Sequence, residues 1–176
     1  MELVEAIAKR RSVKRFADTP VCQEVLVKLI EVARMAPSGA NKNASRFVLI
    51  TERQSLERLG EIAGTCRWLA SAQAGIAIIT DPAATQYWLE DSCVAATFIW
   101  LAATDLGLGV AWAAMHQSAE AEEGERRQGV VRDLLSVPTN LNVPIVLGLG
   151  YPETAPGPRT IPQLEEIIAW ERYARQ

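Results

Sequence analysis

The chain has 176 residues, a formal net charge of −3, a hydrophobic share of 49% and a charged share of 22%. A chain of this length buries roughly 70% of its unfolded surface, so residues 1–176 are expected to form a single domain with a substantial core. The acidic total argues against a surface built for nucleic acid or anionic membrane, and any basic function must be local.

Leu3 to Arg10 is the first predicted helix, with Leu3, Val4 and Ile7 on one face. A second runs from about Cys22 to Met35, where Val25, Leu26, Leu29, Ile30 and Ala33 keep helical spacing; the breakers Ala36-Pro37-Ser38-Gly39 end it. Phe47–Ile50 has strand length, Ser55–Gly64 reads as a surface helix, and Gly75–Thr80 as a buried strand stopped by Asp81-Pro82. Trp88 to Leu106 is predicted helical and is apolar on nearly every face between Cys93 and Ala103. Such a helix must be covered all round, and a second subunit is the expected cover. Leu108–Ala114 and Val143–Leu149 follow as strands, Arg126–Leu135 and Ile161–Tyr173 as helices. Helices and strands mix without strict βαβ alternation, so the expected class is α+β.

Cys22, Cys66 and Cys93 lie far apart without ligand spacing, and His116 is the lone histidine, so no metal site is expected. The odd cysteine count suits a reducing compartment. Met1–Lys9 lacks the apolar core of a signal peptide, and Val94–Ala103 is shorter than the roughly 20 apolar residues that span a bilayer. The expectation is a soluble, cytoplasmic protein.

Three stretches could carry chemistry. Lys9-Arg10-Arg11-Ser12-Val13-Lys14-Arg15-Phe16 reads either as a solvated basic helix end or as an anion site, because arginine presents a planar fork to phosphate and serine adds a neutral donor. Ala36-Pro37-Ser38-Gly39-Ala40-Asn41-Lys42-Asn43 is a helix terminator that could also present Ser38 and the Asn41 amide to a polar ring edge. In Asp105-Leu106-Gly107-Leu108-Gly109, the first glycine suits a helix C′ position and the second suggests close backbone approach to something planar. Neither this pair nor Gly148-Leu149-Gly150 is a dinucleotide fingerprint, since the strand–GxGxxG–helix context is missing. A GxSxG elbow is also missing, and a single histidine leaves hydrolase triads without support. His116 reads as a structural histidine first and a substrate contact second.

In this order, the stretches resemble the nitroreductase family of FMN proteins. Arg10 to Phe16 is similar to its N-terminal basic motif, and Ala36 to Asn41 to the loop after its second helix. Trp88, Asp91, Gly107-Leu108-Gly109 and Trp112 match its central helix and next strand; Gly150-Tyr151-Pro152 with Arg159 resembles its C-terminal signature. The resemblance implies a mostly antiparallel central sheet surrounded by helices in an intertwined homodimer. It implies that Arg10, Ser12 and Arg159 hold the FMN phosphate, that Arg11 lies at that end or on the ribityl chain, and that Lys14 sits by the pyrimidine edge. Pro37, Ser38 and Asn41 would reach the flavin of the other subunit. Backbone at Trp112, Ala113 and Ala114 would lie near the reactive N5 side, and Gly150 near the phosphate arm.

NADH or NADPH as donor, a small acceptor such as a nitroaromatic or quinone, and a ping-pong cycle are implied in turn, with no side chain required as general acid. Reductive dehalogenation, flavin fragmentation, or a flavin carrier or sensor without turnover are the alternatives on the same scaffold. Asn43, Ala44 and Ser45 replace the glutamine, proline and aromatic that commonly continue the family loop, and Thr97 and Phe98 replace polar residues of the central helix. The short Asp81–Trp88 stretch leaves no room for the helical excursion many members fold over substrate.

Overall fold

The computed structural model describes residues 2–117 and 119–173. Four strands, β1 (Ser45–Ile50), β2 (Ala74–Thr80), β3 (Gly109–Ala114) and β4 (Asn142–Gly150), form one sheet in the order β1-β2-β4-β3 with every pairing antiparallel. The helices are α1 (Leu3–Lys9), α2 (Gln23–Ala33), α3 (Arg53–Glu61), α4 (Trp88–Asp105), α5 (Ala121–Leu135) and the single turn α6 (Leu164–Ile167). The fold is therefore α+β with an antiparallel sheet, as the sequence leads one to expect. No helix among the described residues is long and apolar enough to cross a membrane.

The sheet is covered on both faces, which explains why its central strands read as unbroken apolar runs. Side chains alternate across a strand. Ile76, Ile78, Ile145, Leu147 and Leu149 point to one face and pack with Leu26 and Leu29 of α2 and with Ala96, Ile99 and Ala103 of α4. Ala77, Ile79 and Val146 point to the other and meet Leu56 and Leu59 of α3, Leu69 and Val131. Gly148 also faces that second layer, and a Cβ there would come within 2.5 Å of the Trp68 ring.

The segment after α1 lies across the end of the sheet. Ser12 bridges Val110 in parallel and the Val13 N–H donates to the Val110 carbonyl at 3.0 Å. Farther on, Phe16 bridges Pro152 and the Ala17 N–H donates to Tyr151 at 2.8 Å. Val13 and Phe16 are buried while Ser12, Lys14 and Arg15 are exposed. The two buried side chains sit on a pair of glycines that face each other in the β3–β4 register, Gly109 and Gly150. A Cβ on Gly109 would lie 2.6 Å from the Val13 Cβ, and one on Gly150 would lie 2.9 Å from the Phe16 ring. The close approach that the second glycine of Gly107-Leu108-Gly109 suggests is thus to a valine of the same chain, not to a planar ligand.

The C-terminal segment departs from expectation. Helical periodicity predicts a helix over Ile161–Tyr173, but only Leu164–Ile167 is helical. Its stripe is bare, with Leu164 59%, Ile167 62% and Ile168 45% exposed. A short amphipathic segment gains most of its helical stability from tertiary packing, which this one lacks. α5 begins at Ala121, five residues before the expected Arg126, while the remaining helices differ by up to three residues at their ends, and Gly64–Ser71 adds a 3-10 stretch that periodicity does not signal.

Two stability predictions follow from this packing. Gly109→Ala should destabilise the protein by about 1–3 kcal/mol in urea titration through overpacking, and adding Val13→Ala should not rescue it, because alanine keeps the Cβ that would lie at 2.6 Å. In α5, Glu123 pairs with Arg126 and Arg127 at 2.7 Å each, and the hydrogen bonds from these guanidinium groups lower its pKa from 4.5 to about 2. A carboxyl whose folded pKa is depressed stabilises fully above its unfolded value, so this contribution should fade as pH falls from 4.5 toward about 2. Glu123→Gln should flatten the pH dependence of thermal stability in that window.

Candidate functional site

Arg10 caps α1 with extended backbone (φ −52, ψ 127), which turns the chain out of the helix and across α4. Its guanidinium lies 4.8 Å from the centroid of the Trp100 ring. Trp100 is held from the other side, its Nε1–H donating to the Arg11 carbonyl at 3.2 Å. The Trp112 ring stands next in the row, 6.5 Å from Trp100 and tilted by 37°. A cation–π contact of this kind is worth about 0.5–2 kcal/mol, enough to orient the guanidinium but leaving its charge in place.

More positive charge is gathered around it. Arg11 donates through Nε to the Gly157 carbonyl at 2.9 Å and through Nη1 to the carbonyls of Ala8 (2.8 Å) and Arg10 (2.9 Å). That clasp draws the C-terminal stretch back over the N-terminal corner and brings Arg159 with it. Burial lowers the Arg10 pKa from its ordinary value, and the charges of Arg159 and Arg11 push it the same way. Three guanidinium groups in one corner repel one another, and a polyanionic group among them turns that repulsion into attraction. Ser12 is exposed one residue on, and Lys14 is exposed two residues beyond it. A phosphate-bearing ligand fits this donor set.

β3 supplies backbone to the same region. It is an edge strand whose outer side meets the Ser12–Val13 segment at Val110. Val110 turns its carbonyl outward to Val13, so by strand alternation Trp112 and Ala114 turn theirs to the same edge. Ala113 is buried, whereas Ala114 is exposed and its carbonyl accepts from Arg127 at 3.4 Å. Gly150 lies under Phe16, and that packing accounts for its being glycine. His116 is half-buried, edge-on to Trp88 with ring centroids 5.1 Å apart, and its backbone N–H donates to the Pro144 carbonyl at 3.1 Å. Trp68 donates from Nε1 to the Thr65 carbonyl at 2.8 Å and packs against Gly148 on the sheet face remote from α4.

Pro37, Ser38 and Asn41 lie elsewhere, beside the N-terminal turn of α4. The Gly39 N–H donates to Asp91 Oδ1 at 2.8 Å. Asp91 is nine positions before Trp100, or about 14 Å along the helix axis at the α-helical rise. The loop is tightly wound: Ala40, Asn41 and Asn43 have φ of 48, 54 and 49. Asparagine tolerates that left-handed region, while alanine pays roughly 1–2 kcal/mol for it. The Asn43 N–H donates to Ser38 Oγ at 2.9 Å, and its amide donates to the Asn41 carbonyl (3.0 Å) and Oδ1 (3.1 Å). Asn43, a departure from the family pattern, is therefore the internal brace of the loop.

Arg10, Arg11, Ser12, Arg159 and Trp112 are thus brought together, and the Pro37–Asn41 loop is not. Trp100 is not singled out by the sequence pattern, since it is one of several aromatic residues, with Trp88 and Phe98, in a helix apolar on nearly every face.

The model of the nitroreductase family matches residues 7–66 and 63–151. The "Putative NADH dehydrogenase/NAD(P)H nitroreductase" of Archaeoglobus fulgidus is 31% identical over 156 residues, 86% of this chain and 86% of that protein. The FMN reductase [NAD(P)H] of Bacillus subtilis is 27% identical over 90 residues, 51% of this chain and 36% of that protein. Among solved structures, a Bacteroides thetaiotaomicron protein with the same name as the archaeal one superposes with a TM-score of 0.89 at 28% identity, over 97% of this chain and 98% of that one. The basic corner, the antiparallel sheet and these matches have one reading: the chain belongs to the nitroreductase family.

Proposed function

We propose that the protein is an FMN-dependent oxidoreductase that moves electrons from NADH or NADPH to a small acceptor such as a nitroaromatic or a quinone. The observation that carries this reading is the convergence of Arg10, Arg11 and Arg159 at the end of an aromatic row. When bound, FMN would supply the electron chemistry, taking reducing equivalents from the nicotinamide and passing them to the acceptor in ping-pong order. Arg10, Arg159 and the Ser12 hydroxyl hold the phosphate, with Arg11 beside it. Lys14, four residues past Arg10, serves the pyrimidine edge, where its cation favours a negatively charged reduced ring. The outward backbone groups of Trp112 and Ala114 accompany Ala113 along the ring's reactive side, and Gly150 stays by the phosphate arm.

The working unit in this reading is a homodimer. Phe98 and Leu101 of α4 join Leu3, Ile7 and Val32 around an apolar groove of about 490 Å³ that the chain itself leaves open. The bare stripe of Leu164, Ile167 and Ile168 offers a matching surface on a second copy. The distance along α4 between the Pro37–Asn41 loop and Arg10 supports a loop that serves the flavin of the partner, so that each site draws on both chains.

Purified protein should be yellow, should bleach on anaerobic addition of NADH or NADPH, and should have the solution mass of a dimer; a colourless preparation that takes up no added FMN would overturn the reading. Arg10→Ala should weaken FMN binding about 10- to 100-fold, the value of a charge-assisted hydrogen bond, when followed by flavin fluorescence. Lys14→Met should slow anaerobic reduction by about tenfold while shifting stability by no more than ~0.5 kcal/mol, as expected of an exposed side chain.

A further inference from the structure

Asp91 is the best-buried carboxyl side chain in the region of the Pro37–Asn41 loop, with 7% of its surface exposed, and it stands in the first turns of α4. One oxygen accepts the Gly39 N–H at 2.8 Å, and the other, Oδ2, is buried without a hydrogen-bond partner among the described residues. A carboxyl buried with an oxygen unfilled is a poor choice for stability alone, since an apolar residue of like volume would avoid the desolvation. Its one partner is the amide that opens the left-handed run at Ala40, Asn41 and Asn43. The ring of Tyr87 also closes on Gly39, so tightly that a Cβ there would lie 2.2 Å from it. Asp91 also lines a small cavity of about 160 Å³ together with Pro37, Ser38 and Asn43.

Backbone in a sparsely populated region persists only where its surroundings hold it, and such segments gather at ligand sites. We infer that Asp91 is a positioning residue: its Oδ1, with the Tyr87 ring, pins Gly39 to the head of α4 and so holds Ser38, in extended backbone, and the left-handed Asn41 in the geometry that meets the cofactor. This rests on the flavin reading given above for that loop. Within the loop, Asn43 braces Ser38 and Asn41 to each other, and its carbonyl accepts from Arg46 of β1 at 2.9 Å. The tie of the loop to α4 is made by Asp91.

The test compares Asp91→Ala and Asp91→Asn with the parent in the FMN-reconstituted full chain. Hydrogen exchange is followed in peptides covering residues 36–47, FMN affinity by fluorescence, and folding by circular dichroism. Loss of the acceptor should raise exchange at the Gly39 amide and weaken FMN by about tenfold each in the alanine variant. Asparagine keeps a carbonyl acceptor at the same place and should restore both to within about threefold. An alanine variant with parental exchange and affinity would overturn the proposal, as would an asparagine variant that folds yet is as impaired as alanine. Should alanine fail to fold, the asparagine variant still decides: parental exchange and affinity support the acceptor role, and loss of both refutes it. If the parent itself takes up no FMN, the flavin reading fails, while the exchange comparison still reports on the pinning of Gly39.

Discussion

Like charges placed side by side are the constraint around which this molecule is arranged. Arg10, Arg11 and Arg159 come from opposite ends of the chain, and the charges of Arg159 and Arg11 both act against that of Arg10. The corner is held by contacts that do not remove charge: a guanidinium over the Trp100 ring, an indole N–H on the Arg11 carbonyl, and Arg11 itself bonded to three backbone carbonyls. Carbonyl oxygens and a ring face satisfy the donors geometrically while leaving the positive field intact. A folded protein keeps such an arrangement where an anion is to be bound.

The rest of the architecture places that corner. The segment from Ser12 to Phe16 can cross the end of the sheet only because Gly109 and Gly150 are opposite one another and carry no Cβ. Their backbone lets Val13 and Phe16 sink into the protein, and burial of these two directs the intervening polar residues outward. The long helix α4 then does two jobs. Near its middle, Trp100 supports the cationic corner; near its start, Tyr87 and Asp91 hold the loop after α2. One rigid element therefore sets the separation of the cationic corner and the Pro37–Asn41 loop.

Several features were legible in the residues because they depend on short-range physics. The apolar runs 75–80 and 143–149 read as strands and are strands, and α2 carries its stripe and its Pro-Ser-Gly stop in plain view. The basic run after α1 reads as an anion site or a solvated helix end, and the order of motifs points to the family. The C-terminal stripe misled: Leu164, Ile167 and Ile168 keep helical spacing, but spacing promises a helix only where a surface receives it.

What the sequence determined by itself was composition-driven and local: the class of fold, the strand and helix cores, the residue types that can grip a phosphate, and the family. What only the tertiary structure decided was proximity. Nothing in the order of residues says that Trp100 lies under Arg10, that Gly109 yields to Val13, or that Asp91 reaches Gly39, since each pair is joined by packing across elements far apart in the chain. Side-chain periodicity encodes which face of an element is buried, while the identity of the neighbour on that face depends on how the elements are stacked.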